Sequence, residues 1–216
     1  MRRRLFRRAF PWLYKYSDDL TQEGKTIIQG KKVILREKSL RDAQDDYRWR
    51  TDEQLARLDA TRPITMSYDS FYRYSKEEMI YASPTTKRLA IDTLDGNHIG
   101  NCMYYDISSS RGEAELGIMI GDDAFWGNGY GTDAVTTLLR HIFTETDLDR
   151  IYLHTLSWNA RARKAFTKSG FREIGEVHRN GQNFIQMEIL RGQWKHHNSP
   201  PLTQDHTLAA DTIQED

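Results

Sequence analysis

The spacing of apolar residues along this chain changes several times, and each change marks an element. Val33-Ile34-Leu35-Arg36 is a short β-rich run. Ser39 then caps a helix, with Asp42 three residues on as its capping-box partner, and that helix runs to about Trp49. A second capping box, Ser75-Lys76-Glu77-Glu78, predicts a helix start before Met79-Ile80-Tyr81. Leu89–Leu94 and His98–Tyr104 read as strands joined at Asp95-Gly96, where glycine accepts the positive φ of a type I′ turn. Arg111-Gly112 marks another turn, and Glu113–Ile120 is a third consecutive strand.

The period then switches. Ala134, Leu138 and Ile142, with Val135 and Leu139, fall on helical spacing and predict a helix that ends near Thr146. Arg150–Thr155 is β-rich again, so strand, helix and strand in this order predict a parallel crossover. Asn159–Lys168 is a helix closed by Gly170 as its C′ glycine. Phe171–Val177 and Phe184–Leu190 form a final hairpin around Asn180-Gly181. The fold class is α/β of the mixed α+β kind: a central, mostly antiparallel sheet with helices on both faces.

Composition narrows the class. The 216 residues suggest one domain. Lys+Arg and Asp+Glu each number 31, so global charge gives no argument for nucleic acid or a membrane surface. The single Cys102 excludes an intrachain disulfide framework and fits a reducing, cytoplasmic setting. It reads as a buried strand thiol. No apolar run is long enough to span a bilayer. The ends differ from the middle. Residues 1–16 hold six basic residues, no acidic one, and the aromatics Phe6, Phe10, Trp12, Tyr14 and Tyr16. Such an arm suits an anionic surface, or is a plain basic extension. The expected organisation is an extension over 1–30, a folded domain over 31–194 and a disordered tail over 195–216.

One stretch carries chemistry. Trp126-Gly127-Asn128-Gly129-Tyr130-Gly131-Thr132 follows a strand and opens a helix. Glycines let the backbone approach phosphate oxygens, and the first free N–H groups of the helix point at them. The helix dipole favours negative charge there.

Together with two later segments, this turn resembles the GNAT acyl-CoA N-acyltransferase superfamily. Trp126-Gly127-Asn128-Gly129-Tyr130-Gly131 is similar to its pyrophosphate loop, Arg/Gln-x-x-Gly-x-Gly/Ala. Asn159-Ala160-Arg161-Ala162-Arg163-Lys164-Ala165-Phe166 resembles its Asn-x-x-Ala-x-x-x-Tyr segment, and Ser169-Gly170-Phe171 its Gly-Phe strand entry. Asn180-Gly181-Gln182 and Met187 resemble the branch with ribosomal-protein alanine and spermidine acetyltransferases. The likeness covers about residues 31–194.

The resemblance implies a sheet of six to seven strands in which the family's fourth and fifth strands, here Glu113–Ile120 and Arg150–Thr155, splay apart. Acetyl-CoA would lie in that V as co-substrate, with no metal. Its pantetheine arm would pair with backbone groups at Ile118, Met119 and Ile120. Its pyrophosphate would sit on the N–H groups of Gly127, Asn128, Gly129, Tyr130, Gly131 and Thr132. Asn159 would approach the pantetheine, and Arg161 or Lys164 would supply the cation missing where Trp126 replaces Arg/Gln. Glu115 resembles the strand carboxylate that acts as base in several members, directly or through a water. Its neighbour Glu113 points the same way along the strand, and two like charges can raise one pKa. Phe166 stands where many members carry a proton-donating Tyr; phenylalanine has no donor. Tyr130, Tyr152 and Tyr105 are alternative acids without positional support, and His154 reads as structural.

The implied reaction is acetyl transfer to a primary amine by direct attack. The acceptor is a protein N-terminus or a small molecule. Trp49, Trp126 and Tyr68–Tyr72 are candidate walls of its site, with Asp52, Glu53, Asp59 and Asp69 as candidate attractors of a positive amine. The alternative is a non-catalytic acyl-CoA-binding module with a contact arm at residues 1–16. Many relatives dimerise, which keeps a homodimer among the candidate partners.

Overall fold

The computed structural model describes residues 24–198, with side chains through Trp194. The basic arm at 1–16 and the tail beyond residue 198 lie outside the described residues. The elements are β1 (Thr26–Gln29), β2 (Val33–Glu37), a 3-10 turn (Leu40–Asp42), α1 (Ala43–Thr51), α2 (Glu53–Leu58) and α3 (Tyr68–Ile80). Then come β3 (Lys87–Thr93), β4 (His98–Ser108), β5 (Glu113–Ile120), a 3-10 turn (Asp123–Phe125) and α4 (Tyr130–Glu145). The chain continues with β6 (Arg150–Leu156), α5 (Ala160–Lys168), β7 (Arg172–Arg179), β8 (Gln182–Leu190) and α6 (Arg191–Asn198).

The strands form one eight-stranded sheet in the order β1-β2-β3-β4-β5-β6-β8-β7. All neighbours are antiparallel except β5 and β6. The count exceeds the expected six to seven strands because β1 falls in the stretch read as extension. Its hairpin is fastened to α4. The Asp133 carboxylate in the first turn of α4 accepts from the backbone N–H groups of Lys31, Lys32 and Val33 at 3.2, 2.7 and 3.1 Å. Arg140 donates to the Gln29 carbonyl.

Each sheet face has its own cover. Val33, Leu35, Ile91, Ile99, Ala114, Leu116, Ile151 and Leu153 join Ala134, Val135, Leu138, Leu139 and Ile142 of α4 in one core. Burial of each large aliphatic side chain contributes roughly 1.5–3 kcal/mol. The opposite face carries a buried ion cluster under the first 3-10 turn. Arg36 grips Asp42 with two nitrogens at 2.7 and 3.0 Å and reaches Asp92 at 2.6 Å. The Ser39–Asp42 capping box forms as predicted.

Two local expectations differ. The helix assigned to the Ser75 box starts earlier, at Tyr68, because Ser67 caps it by accepting from Ser70 N. Ser75 is buried one turn beyond Phe71, inside α3 rather than at its start. At Asp95-Gly96 only Gly96 takes a positive φ, 84°, so that turn is not type I′. Gly96 N donates to Thr93 O and Thr93 N to Asn97 O, which makes a longer loop in which glycine absorbs the extra residue. Asn180 and Gly181, with φ of 51° and 75°, do form the two-residue type I′ turn.

Candidate active site

The site begins where β5 and β6 part. They pair over three positions only: Glu113 with Arg150, Ala114 with Ile151, and Glu115 with Tyr152. Beyond Glu115, β5 keeps its partner β4 as far as Ile120 opposite Gly100, while β6 keeps β8 to Leu156 opposite Phe184. Leu116–Ile120 and Leu153–Leu156 therefore turn unpaired edges toward one another. Such edges leave backbone donors and acceptors to be met by something other than the sheet.

Strand alternation sorts the side chains of β5. Ile118 and Ile120 pack on the α4 side with the core. Glu113, Glu115, Gly117 and Met119 face the other way, and Met119 lies beside Trp49, Leu55, Ala56 and Asp59 of the α1–α2 region. Two sides of the V are thus distinct: the glycine turn opens on one, the first helices on the other.

At the vertex, Glu115 Oε1 lies 2.9 Å from His154 Nδ1. Both side chains are mostly buried, 13% and 8% exposed. Arg179 Nη2 approaches His154 Nε2 at 3.4 Å. Tyr105 and Tyr152 flank Glu115 as its neighbours on β4 and β6. Burial first, then the Glu115 charge, pushes both phenols above the ordinary tyrosine range. Each is therefore a protonated donor near neutrality. Tyr130 sits elsewhere, edge-on to Phe125 at 5.1 Å.

Glu113 is bound by two cations. Arg111 and Arg150 hold it at 2.6 and 2.7 Å, and their hydrogen bonds push its pKa below the ordinary carboxylate value. The like-charge rise expected along the strand is thus reversed at Glu113. His154, read as structural in the sequence, meets Glu115 because the parallel register places it two residues past Tyr152. That register has no signal in the local sequence.

The glycine turn has the shape the spacing predicts. Gly127 and Gly129 take φ of 76° and 85°, and Gly129 is the N-cap of α4. The first bond from the helix runs from Asp133 N to Gly129 O. The N–H groups of Tyr130, Gly131 and Thr132 therefore project from the helix start. Trp126 Nε1 donates to the Ile120 carbonyl at 2.7 Å, which ties the turn to the end of β5. Lys32 reaches in from the β1–β2 turn: its Nζ is 3.1 Å from Asn128 O and 5.3 Å from the Tyr130 ring centre. This cation escaped the sequence reading because it lies about a hundred residues from the turn. From α5, Arg161 stacks on the Trp126 ring at 3.6 Å. Asn159 caps α5, its Oδ1 accepting from Ala162 N at 3.2 Å. Lys164 is exposed on the same helix.

The acceptor candidates have mixed fates. Trp49 is buried against Gly121. Asp52 caps α2 through Leu55 N at 2.7 Å, and Asp59 pairs with Arg50 at 3.2 Å. Tyr68 packs on Tyr47 and Tyr72 at 5.5 and 6.1 Å between ring centres.

The model of the GNAT acetyltransferase domain matches residues 32–172, most of the described sheet and both arms of the V. The chain belongs to the GNAT acetyltransferase family. Among curated proteins it resembles the spermine/spermidine N(1)-acetyltransferase of Bacillus subtilis strain 168, at 27% identity over 100 residues. That match spans 44% of this chain and 66% of the relative, just under two thirds of its length. Among solved structures, the spermidine N-acetyltransferase from Vibrio cholerae in complex with CoA and spermine has the same fold, with TM-score 0.67 and 21% identity over 75% of this chain and 97% of that one. The aminoglycoside acetyltransferase AAC(6')-Ib in complex with coenzyme A does too, with TM-score 0.66 and 19% identity over 77% and 99%. Within the GNAT pattern, Phe166 remains the main departure. Its ring is 7% exposed and packs in the core against Phe171 at 5.9 Å. No helix among the described residues is long and apolar enough to cross a membrane.

Proposed function

We propose that this chain transfers the acetyl group of acetyl-CoA to a primary amine of a small, multiply charged molecule such as a polyamine. The observation that carries the reading is the Glu115–His154 pair at the vertex of the open V, facing the α1–α3 side. An ammonium has no lone pair, so the reaction needs a base at the point of attack, and Glu115 fills that role. The ammonium gives one proton to Glu115 directly or through a water, the amine nitrogen then attacks the thioester carbonyl, and the C–S bond breaks to release the CoA thiolate, which takes up the second nitrogen proton. A backbone N–H in the Ile118–Ile120 stretch of β5 meets the oxyanion, a contribution of roughly 3–4 kcal/mol for one such donor.

The cofactor reading rests on the free edge of β5 at Ile118, Met119 and Ile120 for the pantetheine, and on the N–H groups of Gly127–Thr132 for the pyrophosphate. Asn159 keeps its Nδ2 donor for the pantetheine, because Oδ1 is engaged in the cap. Lys32, Arg161 and Lys164 supply positive charge. A small polycationic acceptor is favoured by what the compared proteins are named for: spermine, spermidine and aminoglycosides.

The competing reading is an acyl-CoA-binding module without turnover. The buried Phe166, which cannot protonate a thiolate, favours it. A thiol pKa near about 8.5 makes the thiolate a tolerable leaving group unaided. The test is thiol release from acetyl-CoA with spermidine, an aminoglycoside and a peptide with a free N-terminus as parallel acceptors. Turnover with the first two supports the reading. Turnover with the peptide alone assigns a protein acceptor, and CoA binding without any turnover assigns the module.

A further inference from the structure

His154 has two ring nitrogens, and the fold gives each a different neighbour. Nδ1 faces Glu115 Oε1 at 2.9 Å, and Nε2 faces Arg179 Nη2 at 3.4 Å. A neutral imidazole carries one N–H and one lone pair, whereas a guanidinium offers donors only. With Arg179 on Nε2, the lone pair belongs there and the hydrogen belongs on Nδ1, aimed at the carboxylate. The other tautomer sets two donors against each other at Arg179 and two lone pairs against each other at Glu115. An imidazolium meets the guanidinium as a like charge.

The sheet fixes the backbone from which Arg179, an exposed side chain, reaches the ring. Arg179 ends β7, pairs with Gln182 at the start of β8, and is joined to it by the type I′ turn Asn180-Gly181. Strand β8 in turn pairs with β6, with Gln186 opposite His154. On the same hairpin Arg172 has a carboxylate partner, Glu188, at 2.7 Å. Among the described residues no ion pair engages Arg179. The remaining titratable groups around the pair are Tyr105 on β4, Glu113 on β5, and Tyr152 and Arg150 on β6; Glu113 is neutralised by Arg111 and Arg150.

We infer that Arg179 is a positioning residue for the transfer. It holds His154 in the Nδ1–H tautomer, and His154 then occupies Oε1 of Glu115; the Tyr105 phenol also hydrogen-bonds this carboxylate, and the amine proton goes to a lone pair that these two donors leave. The inference rests on Glu115 as the base. No proton passes through Arg179 or His154; the two act on the direction and availability of one carboxylate oxygen. A free imidazole in water favours the hydrogen on Nε2, whereas Glu115 and Arg179 both select it on Nδ1, so the share of the guanidinium is read by removing it while Glu115 stays.

Long-range proton–nitrogen NMR of the full chain reads that tautomer directly, with His154→Gln identifying the signals. The wild type is expected to show Nδ1–H at His154. Arg179→Met leaves Glu115 alone to select Nδ1–H and is expected to raise the Nε2–H fraction and to lower kcat about tenfold, the worth of one hydrogen bond, with the KM for acetyl-CoA unchanged. Arg179→Lys restores a donor and is expected to recover both. Nε2–H in the wild type, or an unchanged tautomer and kcat in Arg179→Met, overturns the inference. Glu115→Gln with wild-type turnover removes Glu115 as the base, and with it the catalytic half of the inference, while the tautomer is still read separately.

Discussion

The guanidinium of Arg161 lies 3.6 Å from the centre of the Trp126 ring, which joins the first turn of α5 to the entrance of the glycine turn. Trp126 is itself anchored on the Ile120 carbonyl. The residue that departs from the family's Arg/Gln position thus serves as a shelf for an arginine from another element. A stack of this kind contributes about 0.5–1 kcal/mol where solvent reaches it and leaves the N–H groups of the guanidinium available.

Replacing Arg161 with Met should therefore weaken CoA binding roughly tenfold by loss of a charged contact to phosphate. Calorimetry with CoA and with 3′-dephospho-CoA checks it. A loss seen with CoA alone assigns Arg161 to the 3′-phosphate, and a loss with both assigns it to the pyrophosphate. Unchanged affinity for both ligands removes Arg161 from the site.

The ion cluster under the first 3-10 turn makes a stability prediction. Arg36→Met leaves Asp42 and Asp92 buried without their cation and should cost about 3–5 kcal/mol. Urea midpoints of the two proteins measure it. Burial alone would raise the Asp42 pKa, but the hydrogen bonds from Arg36, with Lys38 and His98 nearby, hold it at about 2. A carboxylate depressed in the folded state contributes stability that is complete above its unfolded value of about 4 and is lost as pH falls through the folded one. The wild-type midpoint should thus fall between pH 4 and pH 2, and Arg36→Met should flatten that limb.

Gly121 closes β5 against the Trp49 indole, and a Cβ there would overlap the ring atoms Cδ2 and Cε2. Gly121→Ala should destabilise the fold by about 1–3 kcal/mol through overpacking. Gly175 on the exposed strand β7 has open space for a Cβ. Gly175→Ala should stay within about 0.5 kcal/mol of wild type, a surface change. Thermal melts of the pair measure the contrast. Equal melting temperatures would mean that Trp49 does not pack there.

Much of this fold is written in local pattern. The helical spacing of Ala134 to Ile142 reads correctly because that face is buried outright. Gly127 and Gly129 read correctly because only glycine takes those φ values without strain. The misreadings share a cause in long-range contact. Strand β1 is only four residues long, and its hairpin is held by Asp133 and Arg140 from α4, about a hundred residues on. The Ser75 box has the right letters, but Ser67 and the aromatic packing of Tyr68 and Phe71 start the helix earlier. His154 and Lys32 enter the candidate site through register and through the β1–β2 turn, and neither leaves a mark near its own position. Glu113 is neutralised by Arg111 beside it and by Arg150, which only the β5–β6 pairing reveals.

The central claim is that Glu115, at the vertex of the V, is the base for acetyl transfer. Thiol release with saturating acetyl-CoA and spermidine, by wild type and Glu115→Gln, tests it most directly when CoA-induced thermal stabilisation is read on both. At about 100 times the dissociation constant, CoA should raise stability by roughly 2.7 kcal/mol in each. The predicted result is loss of kcat by about 10²–10⁴ with that stabilisation intact. Equal turnover by the two proteins, with both still stabilised by CoA, would contradict it.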